Sequence, residues 1–370
     1  MGEVSDIVRG SSPRPISDSK WFDTNSKVGW LRISDVTSQQ GRIKKLDQHL
    51  SKLGEEKTRV LLSPHLLLSI AASVGYPVIN YVPTGVHDGF LIFKNPKFQL
   101  NYGFYWLQNN KNKWQKYGQP GSQVNLNSSI VENAKIFLPN NNEQSKIIAL
   151  LLRIDKMLAL QQQKNADIIN LKKAILDKIF SNSNIQKWRD IRLNKVLSIP
   201  VDEPKEVTNI DDIISVKLNT QGISKIPNRS TLKLGSTKYY VRHGGQFIFG
   251  KQNFFNGSMA IIPSEYDGKV SSKDVPSLNI NKDIVMPYFL WLYLSRPSFY
   301  KKTERWATGT GSKRLHIKDL LSLKIYIPNK NEQLRICNLM QSLDTQILKS
   351  QKHLKELQSI KKFLLQNMFI

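Results

Sequence analysis

The chain has 370 residues, of which 40% are hydrophobic and 22% charged, so it can form two or three domains with buried cores. Its single cysteine, Cys337, excludes a disulfide framework and a cysteine-based zinc site, and fits a reducing cytosol. No apolar run reaches the ~18 residues that a membrane span needs. The formal net charge of +25 favours a polyanionic partner, most simply nucleic acid.

The positive charge is spread along the whole chain. It amounts to +7 in residues 1–138, +4 in 139–187, +10 in 188–327 and +4 in 328–370. The excess is therefore not a basic tail attached to a neutral enzyme. Charge alone leaves open the plainer interpretation, a solvated basic surface with no specific partner.

Residues 1–138 are predicted to form a first compact domain of mixed α/β structure. Runs of β-branched and aromatic residues, such as 78–82 (Val-Ile-Asn-Tyr-Val), alternate with turns rich in Gly, Pro and Asn. Near the end of this block, basic and aromatic residues are interleaved over 111–117, and Gly121 and Ser122 follow.

Residues 139–187 are predicted to form a long helix and a short linker. Asn140 is placed to cap the helix, with Glu143 three residues later, and the preceding proline ends the strand before it. Apolar residues then step by three and four, which indicates a narrow seam of the coiled-coil kind. The predicted seam residues of this helix are Ile147, Leu150, Ile154, Ile168, Leu171 and Ile175.

Residues 188–327 are predicted to form a second mixed α/β domain, and 328–370 a second long helix. Residues 325–369 align with 136–180 without a gap, at a constant offset of 189 and with 14 identities in 45 positions. Gln161 and Ser350 interrupt the two seams at equivalent positions. They either fix the register or face solvent, and the sequence leaves both open. The predicted seam residues of the second helix are Ile336, Leu339, Leu343, Leu357 and Leu364.

Two apolar seams in one chain are most simply buried by packing on each other. The second helix begins beyond the end of the first and returns, so the pair is predicted to be antiparallel, with rods of roughly 57 Å. The predicted fold is therefore mixed α/β, with two compact domains separated by two long antiparallel helices. These helices form a coiled coil, and the internal repeat gives the chain pseudo-twofold symmetry.

The basic and aromatic stretches that precede each helix are the candidate DNA contacts. Lysine and arginine neutralise phosphates, and backbone N–H groups near glycine can approach them closely. Both domains place the stretch equivalently, which favours DNA contact over a solvated, partly buried aromatic loop. The candidates are Lys111, Lys113, Trp114, Lys116, Tyr117, Gly121 and Ser122 in the first domain, and Lys301, Lys302, Arg305, Trp306, Gly311, Ser312, Lys313 and Arg314 in the second.

Three motifs come close to catalytic signatures but are incomplete. Residues 245–251 match most of a P-loop, yet Gln252 replaces the hydroxyl that binds Mg²⁺. Residues 95–98 lack the second proline of an adenine methyltransferase motif, and the nuclease-like spacing of Asp190 and Glu203 is interrupted by a proline. The sequence therefore predicts no catalytic and no metal-binding residue. A stand-alone nuclease or methyltransferase, or a less specific nucleic-acid-binding coiled-coil scaffold, stays as an alternative.

The whole chain resembles the specificity subunits of type I restriction–modification enzymes. The architecture of domain, helix, domain, helix carries this resemblance together with local motifs. These motifs are Pro-x-x-x-Glu-Gln-x-x-Ile at 139–147 and 328–336, the apolar–Asp pairs at 154–155 and 343–344, Thr-Gly-Thr-Gly-Ser at 308–312, and Lys-Lys-x-Leu-Leu-Gln-x-Met-Phe at 361–369.

The resemblance implies that each domain reads one half of a bipartite target in double-stranded DNA, while the helices set the spacing and dock two methyltransferase subunits. It implies that restriction subunits join the complex and that S-adenosylmethionine, ATP and Mg²⁺ act on those other subunits. The chain itself would bind no cofactor, catalyse nothing and work in a prokaryotic cytoplasm without a membrane partner. The helix lysines assigned to the faces away from the seam, and hence to docking, are Lys156, Lys172, Lys173, Lys349, Lys352, Lys361 and Lys362.

Overall fold

The computed structural model of the protein describes residues 1–71, 73–116, 126–225, 237–309 and 312–369. Contacts divide the chain into two units: Met1–Lys164 with Ser350–Ile370, and Asn165–Lys349. Each long helix therefore contributes one part to each unit. This division differs from the predicted boundaries, which give the helices segments of their own, because each part of a helix packs on a domain.

The first unit combines two small sheets with helices. The larger sheet has the strand order β1-β8-β5-β6-β3, in which only the β3–β6 pair is parallel, and the smaller has the order β2-β7-β4. The described strands and helices of this unit are β1 Asp6–Arg9, β2 Gly29–Leu31, α1 Ile33–Ser38, β3 Arg42–Ile43, α2 Lys52–Lys57, β4 Arg59–Leu61, β5 Leu66–Ser69, β6 Pro77–Asn80, β7 Thr84–Val86, β8 Phe90–Lys94, α3 Leu100–Asn109, α4 Lys111–Lys116, α5 Ser128–Glu132, the beginning of α6 Asn141–Ile179 and the end of α11 Lys330–Met368.

Strands β5 and β8 are buried on both faces, which explains why they read as continuous apolar runs rather than as alternating patterns. Leu66 and Leu68 join one apolar cluster, and Leu67 joins another on the opposite face. Helix α3 contributes Tyr102 and Tyr105 to the first of these clusters, and both side chains are fully buried. The first long helix packs against the same cluster.

The second unit is built from short antiparallel strands and helices. Its sheets have the orders β10-β18-β15-β16, β11-β14-β17, β12-β13 and β19-β9. Its described elements are the remainder of α6, α7 Asn182–Ile185, β9 Arg189–Arg192, β10 Leu197–Ser198, β11 Pro204–Lys205, β12 Ile214–Val216, β13 Ile223–Lys225, β14 Tyr239–Val241, β15 Phe247–Phe249, β16 Met259–Ile261, β17 Val270–Ser272, β18 Ser277–Ile280, α8 Pro287–Leu294, α9 Pro297–Tyr300, α10 Ile317–Ser322, β19 Lys324–Ile327 and the beginning of α11. The 3₁₀ turns of the described chain are Ser19–Trp21, Leu193–Lys195, Ile210–Asp212, Phe254–Asn256, Ser264–Tyr266 and Lys301–Trp306.

An aromatic core holds the end of the first long helix in the second unit. The ring of Phe180 lies within 6 Å of the rings of Trp188, Phe289 and Tyr293. Cys337 of α11 is buried in the same core, and burial raises the pKa of its thiol because the thiolate would be poorly solvated there.

The long helices run antiparallel where they pair in the first unit. The Gln161 Nε2 donates to the hydroxyl of Ser350 (2.9 Å) and to its carbonyl oxygen (3.0 Å), so the polar interruptions of the two seams meet. Six residues earlier on α6, Asp155 binds Lys361, which lies eleven residues later on α11. Of the two interpretations left open by the sequence, the structure favours the polar pair that helps to fix the register.

The seams of α6 and α11 occupy equivalent positions, again at an offset of 189. The buried and half-buried positions on this face are 144, 147/148, 151, 154/155, 158, 161, 165, 168, 172, 175/176 and 179 in α6. In α11 they are 333, 336/337, 340, 343/344, 347, 350, 354, 357, 361, 364/365 and 368. Among the predicted seam residues, these are buried or half-buried: Ile147, Ile154, Ile168, Ile175, Ile336, Leu343, Leu357 and Leu364.

Three predicted seam residues are corrected. Leu150, Leu171 and Leu339 are between 38% and 52% exposed. In each case the next residue along the helix lies on the seam, namely Leu151, Lys172 and Met340. Steps of three and four can be drawn through either of two adjacent residues, so the spacing alone does not select the right one.

Within the described chain, no helix combines the length and the apolar character needed to span a bilayer. The longest helices are the two seam helices, and both carry many charged residues on their exposed faces.

Candidate nucleic-acid interface

Each long helix begins with the predicted asparagine cap, which is confirmed in both copies. The side-chain oxygen of Asn140 accepts a hydrogen bond from the N–H of Glu143 (2.9 Å), and Asn329 accepts one from the N–H of Glu332 (2.9 Å). These bonds satisfy backbone donors that have no partner within the helix.

The glutamine of the repeated Glu-Gln motif joins each long helix to its domain. The Oε1 of Gln144 accepts a hydrogen bond from the N–H of Gln99 at the start of α3 (2.9 Å), and its Nε2 donates to the carbonyl of Pro139 (2.9 Å). Gln333 makes the same two contacts, with the N–H of Met286 at the start of α8 (2.8 Å) and with its own preceding proline (3.0 Å). Both glutamines are buried. The sequence showed the motif but not this role.

A charged cluster lies on the seam face in the first unit. The Nζ of Lys361 is 2.6 Å from Asp155, and Tyr105 of α3 donates its hydroxyl proton to the same carboxylate (2.7 Å). Burial first, and then the negative charge of Asp155, raises the pKa of Tyr105. The tyrosine therefore stays protonated and keeps donating.

The second unit repeats this cluster with Asp344, Lys172 and Tyr288 of α8. Lys172 and Lys361 are each only 17% exposed at the side chain, so their predicted place on the outer helix faces is wrong. Each lysine turns to the seam because an aspartate of the other helix lies there to pair with it. The pairing of 172 with 344, and of 361 with 155, follows the offset of 189.

The second unit carries the clearest basic surface near the predicted contacts. The 3₁₀ turn Lys301–Trp306 follows α9, and buried Thr303 anchors it by donating its hydroxyl proton to the carbonyl of Tyr300 (2.6 Å). This anchoring leaves the other side chains of the turn exposed. A shallow cleft, which we name the basic patch, is lined by Lys301, Lys302, Glu304, Arg305 and Lys313.

The remaining candidates of the second unit lie around this patch. Trp306 is 38% exposed, and the Arg305 guanidinium lies over its ring at 4.0 Å from the centroid. Lys313 pairs with Glu304 (2.7 Å). Ser312 is exposed, and Arg314 is half-buried with its Nε 3.6 Å from Asp274. Gly311 lies outside the described residues. The structure thus brings Lys301, Lys302, Arg305, Trp306 and Lys313 together.

The candidates of the first unit are less well assembled. Lys111 lies over the ring of Tyr76, with its Nζ 3.6 Å from the centroid, and Lys113 is exposed. Trp114 is only 3% exposed and packs against Trp106, so it belongs to the core and its prediction as a DNA contact is corrected. Lys116 lies in α4. Tyr117, Gly121 and Ser122 lie outside the described residues.

The motifs that came close to catalytic signatures have structural partners. Asp190 pairs with Lys324 (3.1 Å), while Glu203 lies 3.1 Å from His243, so the two acids are engaged separately. Phe98 of the methyltransferase-like motif is buried, and the centre of the P-loop-like motif is strand β15. In the part of the chain that the structure describes, no group of three or more His, Cys, Asp or Glu residues is placed to hold a metal ion.

The family model for the type I restriction modification DNA specificity domain matches residues 1–170 and 186–359. The chain belongs to this family. It is a type I DNA specificity subunit, and its mixed α/β fold with two long helices confirms the predicted fold class.

Solved structures from type I restriction–modification systems share this fold. The S subunit of a type I restriction–modification system from M. genitalium is 14% identical, with a TM-score of 0.58, covering 100% of this chain and 94% of that chain. A second solved structure concerns complex assembly and conformational transition of the type I R-M system. Its matching chain is 17% identical, with a TM-score of 0.59, and the match covers 99% of this chain and 95% of that chain. At these identities the likeness shows the fold.

Replacing Lys301 of the specificity subunit by alanine is expected to weaken binding to all duplex sequences alike. Lys301 is exposed on the basic patch. If it contacts a phosphate, its removal means that one fewer counterion is released from the DNA on binding. The slope of log K against log [salt] should become shallower by about 0.9. Titrations of duplex DNA at several salt concentrations measure it, with Lys195→Ala, an exposed lysine that does not line the patch, as control. Equal slopes in Lys301→Ala and the unsubstituted chain would remove Lys301 from the interface.

Proposed function

We propose that each domain of the specificity subunit reads one half of a bipartite target in double-stranded DNA, and that the long helices set the distance between the halves. The contacts that attach each domain to the helices, which we name the joint, carry this proposal because they are repeated in both units. In each unit a buried glutamine, an aspartate–lysine pair and a tyrosine attach a domain to the helices, at equivalent helix positions. Two domains of different sequence, held by the same joint, are what independent reading of two half-sites requires.

The same proposal assigns the chemistry to other subunits. Two methyltransferase subunits dock on the helices and use S-adenosylmethionine, and restriction subunits that use ATP and Mg²⁺ join them in the prokaryotic cytosol. The chain itself binds duplex DNA and none of these cofactors. The separate engagement of Asp190 and Glu203, and the burial of Phe98, support a chain without catalysis of its own.

Exchanging residues 188–327 for the corresponding domain of another type I specificity subunit is expected to change one half-site and leave the other half-site unchanged. The joint residues Gln333, Asp344 and Lys172 lie outside the exchanged segment, so the replacement domain meets the same helix surface. Methylation mapping of DNA from cells that express the hybrid measures the result. As a matched control, the exchange of residues 1–138 should change the opposite half-site.

A hybrid whose methylated target changed in both halves, or in neither, would contradict independent reading. The purified chain assayed alone with Mg²⁺ or with S-adenosylmethionine tests the second part of the proposal. Turnover in either assay would restore the stand-alone enzyme as the better description.

A further inference from the structure

A groove of roughly 580 Å³ lies beside the basic patch in the second unit. It is formed by segments that are far apart in the chain: the end of α6 with α7, the region of α9 and the following 3₁₀ turn, and strand β19. Its described lining residues include the cations Arg296, Lys302, Arg305 and Lys324. No aspartate or glutamate is among the described residues that line it. Its charge is therefore complementary to an anion.

Arg296 is held rigidly at this groove. Its guanidinium carbon lies 4.2 Å from the ring centroids of both Phe180 and Tyr293, and its Nε donates to the carbonyl of Tyr293 (3.0 Å). Such a stacked guanidinium loses little freedom when it binds a further partner. Its side chain is thus positioned before any ligand arrives.

The charge of Arg296 has no acidic partner among the described residues, whereas Lys324, another cation of the groove, is paired with Asp190 (3.1 Å). Burial lowers the pKa of Arg296 because its charge is partly removed from water. A positioned, poorly solvated guanidinium whose terminal N–H groups meet no carboxylate is suited to bidentate binding of an oxyanion.

The groove continues into the basic patch. Lys302 and Arg305 line both of them, so a polyanion that lies on the patch reaches Arg296 without leaving the positive surface. This continuity favours a phosphate of the DNA backbone over a carboxylate of a protein partner. The exposed face of Trp306, which also lines the groove, offers an apolar surface beside that phosphate.

We propose that Arg296 binds a backbone phosphate of the duplex, at the side of the half-site read by the second unit. This inference rests on the proposed function and adds a DNA contact outside the predicted stretches. Because the contact is to the backbone, it contributes affinity and orientation but no sequence preference.

Arg296→Met and Arg296→Lys in the full-length chain test the proposal, with Lys195→Met as the control for loss of an exposed charge. Methionine is unbranched and apolar, so it can still pack against both rings without the charge, and lysine restores the charge. The slope of log K against log [salt] should become shallower by about 0.9 in Arg296→Met and recover in Arg296→Lys. Between 50 and 200 mM salt, the unsubstituted chain should accordingly lose about threefold more affinity than Arg296→Met.

Several outcomes would overturn the assignment. If Arg296→Met keeps the original slope, and circular dichroism shows it folded, Arg296 does not bind phosphate. An unchanged slope together with weaker association of the methyltransferase subunit would assign the groove to an acidic segment of that partner instead. If Arg296→Met does not fold, the result for Arg296→Lys decides between a phosphate contact and a structural role. If Arg296 had a purely structural stacking role, Arg296→Lys would not fold either. The domain exchange described above tests the proposed function separately. If that exchange changes one half-site while Arg296→Met keeps the original slope, the proposed function stands and only the phosphate contact of Arg296 is refuted.

Discussion

Replacing Asp344 by lysine is expected to lower the free energy of unfolding of the second unit by about 3 kcal/mol. The substitution removes the partner of Lys172, which is only 17% exposed, and places a second positive charge beside it. It also leaves the hydroxyl of Tyr288 without its acceptor. The pair is partly buried, since the side chain of Asp344 is 38% exposed. Breaking it costs more than forming it gains, because the lysine charge that remains is poorly solvated. Urea denaturation followed by circular dichroism at the helix band measures the change.

The exposed pair of Lys352 and Glu356 on α11 provides the control. These side chains are 81% and 53% exposed and lie 3.9 Å apart, so Glu356→Lys should change stability by no more than about 0.5 kcal/mol. The double substitution Asp344→Lys with Lys172→Asp should regain most of the loss, because the opposite charges again face each other. If Asp344→Lys were as mild as Glu356→Lys, the cluster would contribute nothing to the helix pair.

Deleting one heptad from each long helix is expected to shorten the spacer of the recognised DNA by about three base pairs while both half-sites stay the same. Removing residues 158–164 and 347–353 shortens each helix by about 10.5 Å, and one base pair spans about 3.4 Å. Seven residues are two turns, so the seam stays on one face. The charged clusters at 155 and 361 and at 172 and 344 are retained. Methylation mapping in cells that carry only the shortened subunit measures the spacer.

Deletion of residues 158–164 alone serves as the control. The two helices then differ in length by a heptad, so the joints of both units cannot form together, and methylation should be lost. The original spacer, recovered from the doubly shortened subunit, would show that the helices do not set the distance.

The long helices could be predicted from the sequence almost to the residue, because their signals are local. The caps at Asn140 and Asn329, the proline before each, and the steps of three and four are all read within a few positions. The helices observed, Asn141–Ile179 and Lys330–Met368, begin directly after those caps. The repeat then indicated that whatever the first helix does, the second does too.

The charged clusters could not be predicted, because their partners are distant in the sequence. Lys172 and Asp344 are 172 residues apart, and hydropathy assigns a lysine on a helix to the solvent. The same holds for the tyrosines, which reach their aspartates from different places: Tyr105 near the middle of α3 and Tyr288 near the start of α8. No constant offset relates them, so the repeat did not reveal them.

The basic and aromatic stretches illustrate a different limit. Aromatic residues between lysines indicate stacking on bases or packing in a core equally well, and Trp114 and Trp306 show both outcomes: one is buried and the other exposed. The groove at Arg296 is assembled from three separate segments, so no single window of sequence contains it.

The buried thiol of Cys337 in the aromatic core can be used as a natural probe of local opening in the subunit. Since Cys337 is the chain's single cysteine, an alkylating reagent can modify the folded protein at one position alone. The thiol becomes accessible to the reagent when the beginning of α11 separates transiently from its domain. The rate of labelling therefore measures how often this local opening occurs. The dynamics of one joint can thereby be followed in the natural protein, with DNA or partner subunits added one at a time.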